Sequence, residues 1–188
     1  MNRKEKKALF RKTVLQKIRK RRINSYKKDK TIINRVIKLI KKNKYRNIML
    51  YIPLETEVNI AGLIKLLREN RYNLSVPFME GESFKLVKYR LPLYTRKFGI
   101  KEPKNSKLRI KNIDLAIVPI LGVDKNYKRV GFGKGMYDRF YEKFGKNIKN
   151  TLFISRDLYY VNETITDSYD IEANYILFNS KKIIDIEG

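Results

Sequence analysis

The chain has 188 residues, of which 43% are apolar, so it is long enough and hydrophobic enough to bury a core. It contains no cysteine and no histidine, which excludes disulfides, thiolate metal sites and hydrolases built on Ser-His-Asp, Cys-His or zinc-histidine chemistry. Its 44 Lys and Arg residues against 19 Asp and Glu residues give a formal net charge of +25, which is typical of proteins that bind polyanions.

The positive charge is concentrated at the start of the chain. Residues 1–46 contain 20 Lys and Arg but only Glu5 and Asp29, a net of +18, whereas residues 47–188 carry +7. In this segment apolar residues recur at helical spacing, first as Leu9, Phe10, Val14 and Ile18, then as Ile32, Ile33, Val36, Ile37 and Ile40. The spacing predicts two amphipathic helices with basic outer faces. We interpret most of the charge as solvated surface, with an electrostatic role toward an anionic small molecule, or binding of nucleic acid or an anionic membrane, as the alternatives.

The remainder of the chain alternates between strand and helix patterns. A helix is predicted at 60–67 with Asn59 as its N-cap, and a surface loop at 91–111. Strands are predicted at 47–52, 73–76, 84–89, 114–118, 151–154, 175–178 and 183–186. We therefore expect a single α/β domain over residues 1–188, with three α/β/α layers, a central mostly parallel sheet and the two basic helices packed against it.

A glycine-rich loop is the strongest local motif. Gly131, Gly133 and Gly135 lie within the stretch RVGFGKGMYDR, after the strand at 114–118 and before a helical pattern. Such a turn offers backbone N–H donors and the positive end of a helix dipole to a phosphate, and Lys134 adds a cation. The spacing fits neither a Walker A loop nor a dinucleotide fingerprint. The loop is either a phosphate site of another kind or a tight strand-to-helix connection whose glycines relieve backbone strain.

The sequence shows no membrane or export signal. The longest apolar stretch, at 115–123, contains a proline and a glycine and is too short to cross a bilayer. No apolar block follows the basic N-terminus, as a secretory signal would require. We expect a cytoplasmic protein without a membrane partner.

Four segments spread over nearly the whole chain carry the patterns of one enzyme family. The first three are KALFR at 7–11, YIPLETEVNI at 51–60 and FGIKEP at 98–103, similar to K-x-x-L-R, Y-x-P-x-x-x-E-V-D-T and G-I-x-E-P. The fourth is VPILGVD at 118–124 followed by NYKRVGFGKGMYDRF at 126–140. Together they resemble the 5-formyltetrahydrofolate cyclo-ligases, also called methenyltetrahydrofolate synthetases. Phe10, Asn59 and Met136 depart from the usual Leu, Asp and aromatic residue.

The resemblance implies roles for individual residues. Those implied to bind ATP are Lys7, Arg11, Arg129, Val130, Gly131, Phe132, Gly133, Lys134, Gly135, Met136 and Tyr137. Those implied to contact the folate are Ile52, Glu57 and Tyr137, and those implied to act in catalysis are Lys134, Arg129 and Tyr137. Magnesium is assigned to Asp138 and Asp170, with Asp167 left open as an alternative to Asp170. Without the resemblance, Lys7 and Arg11 would fit solvated charges, Tyr137 ordinary packing and Glu57 an exposed loop carboxylate.

The implied reaction converts 5-formyltetrahydrofolate and ATP to 5,10-methenyltetrahydrofolate, ADP and phosphate, through phosphorylation of the formyl oxygen and ring closure by N10. It depends on positioning and charge neutralisation, so the absence of histidine is compatible with it. The expected ligands are ATP, Mg²⁺ and the folate, with or without a polyglutamate tail. We expect the protein to be a monomer. The alternatives are a basic nucleic-acid-binding module without catalysis and a relative that binds these ligands without turnover.

Overall fold

The fold begins with two 18-residue helices, α1 (Arg3–Lys20) and α2 (Ser25–Lys42). The computed structural model describes residues 1–20, 25–95, 101–106, 110–179 and 183–186. Helix α2 buries Ile32, Val36 and Ile40 against the sheet, as the apolar spacing predicts. No helix in the described ranges is long and apolar enough to cross a membrane.

Helix α1 packs differently from the prediction. Leu9, placed on its apolar face by the spacing, is 52% exposed, while Val14 and the charged Lys7 are buried. The prediction for Leu9 is wrong because α1 docks partly through polar contacts. Lys7 pairs with Asp170, and Arg11 Nε donates a hydrogen bond to the Gly131 carbonyl at 3.0 Å.

The remaining elements include two shorter helices, α3 (Ala61–Glu69) and α4 (Met136–Phe144). The strands in chain order are β1 (Asn47–Met49), β2 (Asn73–Glu80), β3 (Ser83–Lys88), β4 (Tyr94–Thr95), β5 (Lys101–Glu102), β6 (Leu115–Pro119), β7 (Gly122–Asp124), β8 (Arg129–Val130), β9 (Thr151–Ile154), β10 (Tyr160–Val161), β11 (Tyr175–Leu177) and β12 (Ile184–Asp185). Ile60 occupies the N-cap position of α3, so Asn59 lies one residue before it, although Asn59 Oδ1 still accepts the Ala61 N–H at 3.1 Å.

Seven strands form the central sheet in the order β12-β11-β9-β6-β1-β2-β3. The five inner strands are parallel, and β3 and β12 pair antiparallel at the two edges. The predicted α/β fold with a mostly parallel sheet is confirmed. From β1 the chain adds β2 on one side and later returns to add β6 on the other. The crevice beyond the carboxyl ends of strands at such a reversal is where α/β folds bind ligands.

The core lies on both faces of the sheet. Along β6, Leu115 and Ile117 join a cluster with residues of α2 and α3, while Ala116 and Val118 join one with Phe140 of α4. Because side chains alternate between the faces of a strand, β6 supplies both clusters. Every residue of β6 is buried, as expected for a central strand.

Two small sheets lie outside the predicted pattern. Strands β10, β7 and β8 form one, so the chain reaches the glycine-rich loop from β8 and not directly from the central strand at 114–118. Strands β4 and β5 form the other, within the segment 91–111 that was predicted to be loop. Residues 96–100 and 107–109 of that segment, including Phe98, Gly99 and Ile100 of the FGIKEP motif, lie outside the described residues.

Candidate active site

A cavity of about 330 Å³ opens beyond the carboxyl end of β1, where the chain continues through Tyr51, Ile52 and Glu57. Most of the sequence-predicted site residues line it, namely Arg11, Ile52, Glu57, Arg129, Gly131, Phe132, Gly133, Lys134, Gly135, Met136, Tyr137, Asp138 and Asp170. Lys7 and Val130 do not line it. Val130 is fully buried in β8, and its carbonyl accepts the Leu121 N–H at 3.0 Å.

The glycine-rich loop joins β8 to the N-terminus of α4. Gly133 and Gly135 have φ values of 101° and 60°, a left-handed conformation that glycine adopts without strain. Gly131 is required for a different reason, because a Cβ atom there would overlap the Arg129 guanidinium. The loop is therefore a tight connection that its glycines permit without strain, and it also forms one wall of the cavity. Its last residue, Gly135, is the N-cap of α4, so the positive end of that helix faces the site.

Arginine side chains hold the loop from two sides. Arg11 of α1 reaches the Gly131 carbonyl as described above, and Arg139 of α4 donates through Nη2 to the Lys134 carbonyl at 2.6 Å. Arg139 Nε also donates to the Glu82 carbonyl at 2.9 Å, which ties the loop to the β2–β3 turn. These contacts fix the loop backbone while the Lys134 side chain remains exposed at the cavity.

Arg129 is a buried cation beneath the loop. Its Nε and Nη2 donate to the Pro119 carbonyl at 3.2 and 3.0 Å, and its guanidinium carbon lies 4.7 Å from the centre of the Tyr137 ring. Burial lowers the pKa of Arg129, while the nearby Asp138, Tyr137 and Glu57 favour its charged form. The guanidinium thus supplies positive charge near Asp138 and Glu57, two of the acidic residues that line the cavity.

The two carboxylates that the resemblance assigns to metal binding, Asp138 and Asp170, line the cavity. Asp138 Oδ1 is buried and accepts no hydrogen bond from any residue that the structure describes. Asp170 Oδ2 accepts from the Lys7 ammonium group and, at 2.7 Å, from the Asp167 N–H. In the described ranges no group of three or more His, Cys, Asp or Glu side chains is placed to hold a metal ion. A cation bound here would therefore need ligands from elsewhere in addition to these two carboxylates.

Glu57 and Tyr51 belong to the segment that follows β1 and line the cavity near Tyr137 of α4. Glu57 Oε2 accepts the Leu54 N–H at 2.9 Å. Burial raises the pKa of Glu57 to about 7, against the opposing effects of that hydrogen bond and of Arg129 and Arg156. The Tyr51 hydroxyl donates to the Val58 carbonyl at 2.7 Å, so Tyr51 braces this segment. Burial also raises the pKa of Tyr137, which therefore remains a neutral phenol.

Sequence reasoning missed four residues of β2, β3 and β5 that line the cavity, namely Pro77, Met79, Phe84 and Lys101. The predicted strand ended at Val76, because proline is a poor strand residue. The structure continues β2 to Glu80, with Pro77 paired to Leu86 of β3. Proline is tolerated because β1 pairs only with residues 73–75, so no strand among the described residues pairs with the other edge of β2 at Pro77. A predicted strand that continued past Val76 would have placed Pro77 and Met79 on one face, because alternate residues of a strand share a face.

The fold and its cavity define an α/β protein with a ligand crevice at the reversal point of a mostly parallel sheet. Residues 3–177 match the model of the 5-formyltetrahydrofolate cyclo-ligase family. The chain belongs to the 5-formyltetrahydrofolate cyclo-ligase family.

Similar proteins agree with this assignment. The chain is 27% identical over 184 residues to the 5-formyltetrahydrofolate cyclo-ligase of Haemophilus influenzae, covering 89% of this chain and 96% of that protein. The solved structure of 5,10-methenyltetrahydrofolate synthetase from Aquifex aeolicus superposes with a TM-score of 0.78 at 25% identity, covering 97% of this chain and 93% of that one. The Mycoplasma pneumoniae synthetase shares the fold, with a TM-score of 0.64 at 22% identity over 90% and 96% of the two chains.

Proposed function

We propose that this protein converts 5-formyltetrahydrofolate and ATP to 5,10-methenyltetrahydrofolate, ADP and phosphate. Membership of a ligase family supports the reaction class. The observation that carries the proposal is that the glycine-rich loop at 131–135 and the segment after β1 with Glu57 line one cavity. A nucleotide held by the first and a folate held by the second would meet there.

The glycine-rich loop is the proposed site for the ATP phosphates. Its backbone lies at the positive end of α4, and Arg11 and Lys134 line the same wall. A triphosphate carries several negative charges, so it is stabilised by backbone N–H groups and by cations that are already held in place. The hydrogen bond from Arg11 to the loop backbone supports this role, since it fixes the cation before any ligand binds.

Magnesium fits the two carboxylates. A buried carboxylate oxygen without a hydrogen-bond donor, such as Asp138 Oδ1, is costly unless a cation satisfies it. Both hydrogen bonds that Asp170 accepts within the described residues end on Oδ2. Mg²⁺ is commonly held by one or two carboxylates together with substrate phosphates and water, which matches a site with two protein ligands. When bound, the ion would neutralise charge on the β- and γ-phosphates.

The folate is placed on the Glu57 side. A carboxylate accepts two parallel hydrogen bonds from a planar, donor-rich edge, which the pterin ring of a folate offers. Ile52 would pack against the ring, and Tyr137 lies between this side and the glycine-rich loop. Ionised Glu57 is the form that accepts these hydrogen bonds, and Arg129 favours it.

The proposed chemistry has two steps, a phosphoryl transfer and a ring closure. The formyl oxygen attacks the γ-phosphorus of ATP, a P–O bond forms, and the bond to ADP breaks. N10 then attacks the formyl carbon, the C–O bond to phosphate breaks, and the N10 proton leaves with the phosphate. Lys134 and Arg129 are the residues proposed to stabilise charge on the transferred group, and Tyr137 to orient the two ligands.

All residues of the proposed site come from one chain. The cavity combines α1, the segment after β1, strands β2 and β3, and the loop before α4. We therefore propose that one copy, acting as a single domain, is sufficient for turnover.

An absorbance assay tests this function. Purified protein with ATP, Mg²⁺ and 5-formyltetrahydrofolate should give a rise in methenyl absorbance that is absent when ATP is omitted. Release of one ADP per methenyl product is expected in the same reaction. No rise in the complete mixture, under conditions where the protein is folded by circular dichroism, would refute the proposal.

A further inference from the structure

Lys101 is a cation on the cavity wall that none of these roles uses. It lies on β5, in the β4–β5 hairpin, and lines the cavity together with Pro77 and Met79 of β2. In the FGIKEP motif it occupies the position that the pattern G-I-x-E-P leaves open. The family pattern therefore does not fix which residue stands at this position.

The neighbouring residue fixes the hairpin in place. Glu102 is only 3% exposed, and its Oε1 accepts the Met79 N–H at 2.9 Å. Because successive residues of a strand point to opposite sides, the buried Glu102 leaves Lys101 on the exposed side of the strand. The Lys101 side chain thus extends from a hairpin that the carboxylate of Glu102 anchors to β2.

The cations that line the cavity fall into two groups. Arg11, Arg129 and Lys134 lie on the glycine-rich loop or contact it, where the ATP phosphates are placed. Lys101 lies on β5, which is anchored to β2, and it lines the cavity with the apolar side chains of Pro77, Met79 and Phe84. A folate matches this second group, because its aminobenzoyl ring is apolar and the glutamate that follows carries two carboxylates.

We propose that Lys101 binds a carboxylate of the glutamate tail and so selects folates that carry glutamate. The assignment rests on the proposed function. In this arrangement the pterin lies at Glu57, the aminobenzoyl ring packs on Met79 and Phe84, and the tail carboxylate meets Lys101. Such a pair is partly exposed, so its contribution weakens as salt concentration rises.

The test compares Lys101→Met with the matched control Lys85→Met. Lys85 lies on β3 next to Phe84, is paired with Glu80 at 3.1 Å and does not line the cavity. The substrates are 5-formyltetrahydrofolate and 5-formyltetrahydropteroate, which lacks the glutamate. We expect Lys101→Met to raise the KM for 5-formyltetrahydrofolate about fivefold. Its KM for the pteroate, its KM for ATP and its kcat should equal those of the wild type.

The outcomes separate this inference from the function on which it rests. Wild-type protein without turnover would overturn both. Wild-type turnover with an unchanged folate KM in Lys101→Met would overturn the assignment of Lys101 alone. So would an equal rise in KM for both substrates, or a rise of the same size in Lys85→Met. Matching thermal unfolding midpoints of the three proteins exclude misfolding as the cause of an effect.

Discussion

The ammonium group of Lys7 and the carboxylate of Asp170 form a buried ion pair, although 163 residues separate them in the chain. Both side chains are almost fully buried, at 8% and 4% exposure. Lys7 Nζ also lies 3.6 Å from Asp167 Oδ2, so one lysine joins α1 to the segment that carries the proposed metal ligand. The pair orients Asp170 toward the cavity and anchors the start of the chain.

Breaking this pair should destabilise the fold. Lys7→Met leaves the Asp170 carboxylate buried without its cation, which costs about 3–5 kcal/mol. Urea unfolding of Lys7→Met, Asp170→Asn and the double variant measures the coupling. We expect the double variant to be more stable than the sum of the two single effects would give, while turnover stays low. Additive free energies of unfolding would show that the two side chains are not coupled.

A methyl group at Gly131 should disrupt the site. In Gly131→Ala the new Cβ would displace the Arg129 guanidinium from its place above Tyr137, so we expect a loss of at least tenfold in kcat/KM. Gly62→Ala in α3 is the matched control, because nothing lies within 4 Å of its Cβ position. That variant should be active and about 0.5–1 kcal/mol more stable. Wild-type turnover in Gly131→Ala would contradict the proposed role of Arg129.

Removal of the Lys134 side chain should abolish most turnover without unfolding the protein. The residue is exposed at the cavity, and its backbone carbonyl is already held by Arg139, so the loop keeps its shape in Lys134→Ala. We expect kcat to fall about 100-fold or more, because charge stabilisation on the transferred phosphoryl group is lost. Lys143→Ala, an exposed position later in α4, should keep normal activity. Equal kcat in both variants would remove Lys134 from the mechanism.

The pH dependence should report on Glu57. Its pKa rises from 4.5 to about 7 because the carboxyl group is buried. The folded protein therefore holds this proton more tightly than the unfolded chain does, and stability should fall as pH rises from about 4.5 through 7, by roughly 2 kcal/mol. Glu57→Gln, which does not titrate, should lack this fall in urea unfolding curves recorded across that range. An identical pH profile in the variant would show that the Glu57 carboxyl is not responsible.

Folate binding should favour the ionised form of Glu57, whereas the stability of the free protein favours the protonated form. Only ionised Glu57 accepts two hydrogen bonds from the pterin edge, so the KM for 5-formyltetrahydrofolate should rise as pH falls below about 7. The KM for ATP, bound at the glycine-rich loop, should change less over the same interval. In Glu57→Gln the folate KM should be high at every pH and nearly constant. A wild-type folate KM that is independent of pH would contradict the placement of the pterin at Glu57.

Local patterns in the sequence predicted most of what positions the site. The β6 strand is apolar on both faces and the glycines of the loop cluster within five residues, so both could be recognised without tertiary information. The short strands β7, β8 and β10 have two or three residues each, too few to show a period. They form only because the chain after β6 folds back on itself.

Local sequence patterns do not predict long-range polar contacts. The resemblance assigned Lys7 to ATP and Asp170 to magnesium, and nothing in their local sequence indicates that the two side chains pair. The sequence pattern likewise places Glu102 in a loop, whereas Glu102 is a buried residue of β5 whose carboxylate accepts the Met79 N–H. Such pairings depend on which loops the topology brings together, which the spacing of apolar residues does not encode.

The fate of the formyl oxygen tests the proposed chemistry most directly. Turnover of 5-formyltetrahydrofolate with an isotopically labelled formyl oxygen, followed by mass spectrometry of the released phosphate, distinguishes phosphorylation of that oxygen from its loss as water. We expect one labelled oxygen in every phosphate formed alongside a methenyl product. Unlabelled phosphate from labelled substrate would contradict the transfer of the γ-phosphoryl group to the formyl oxygen.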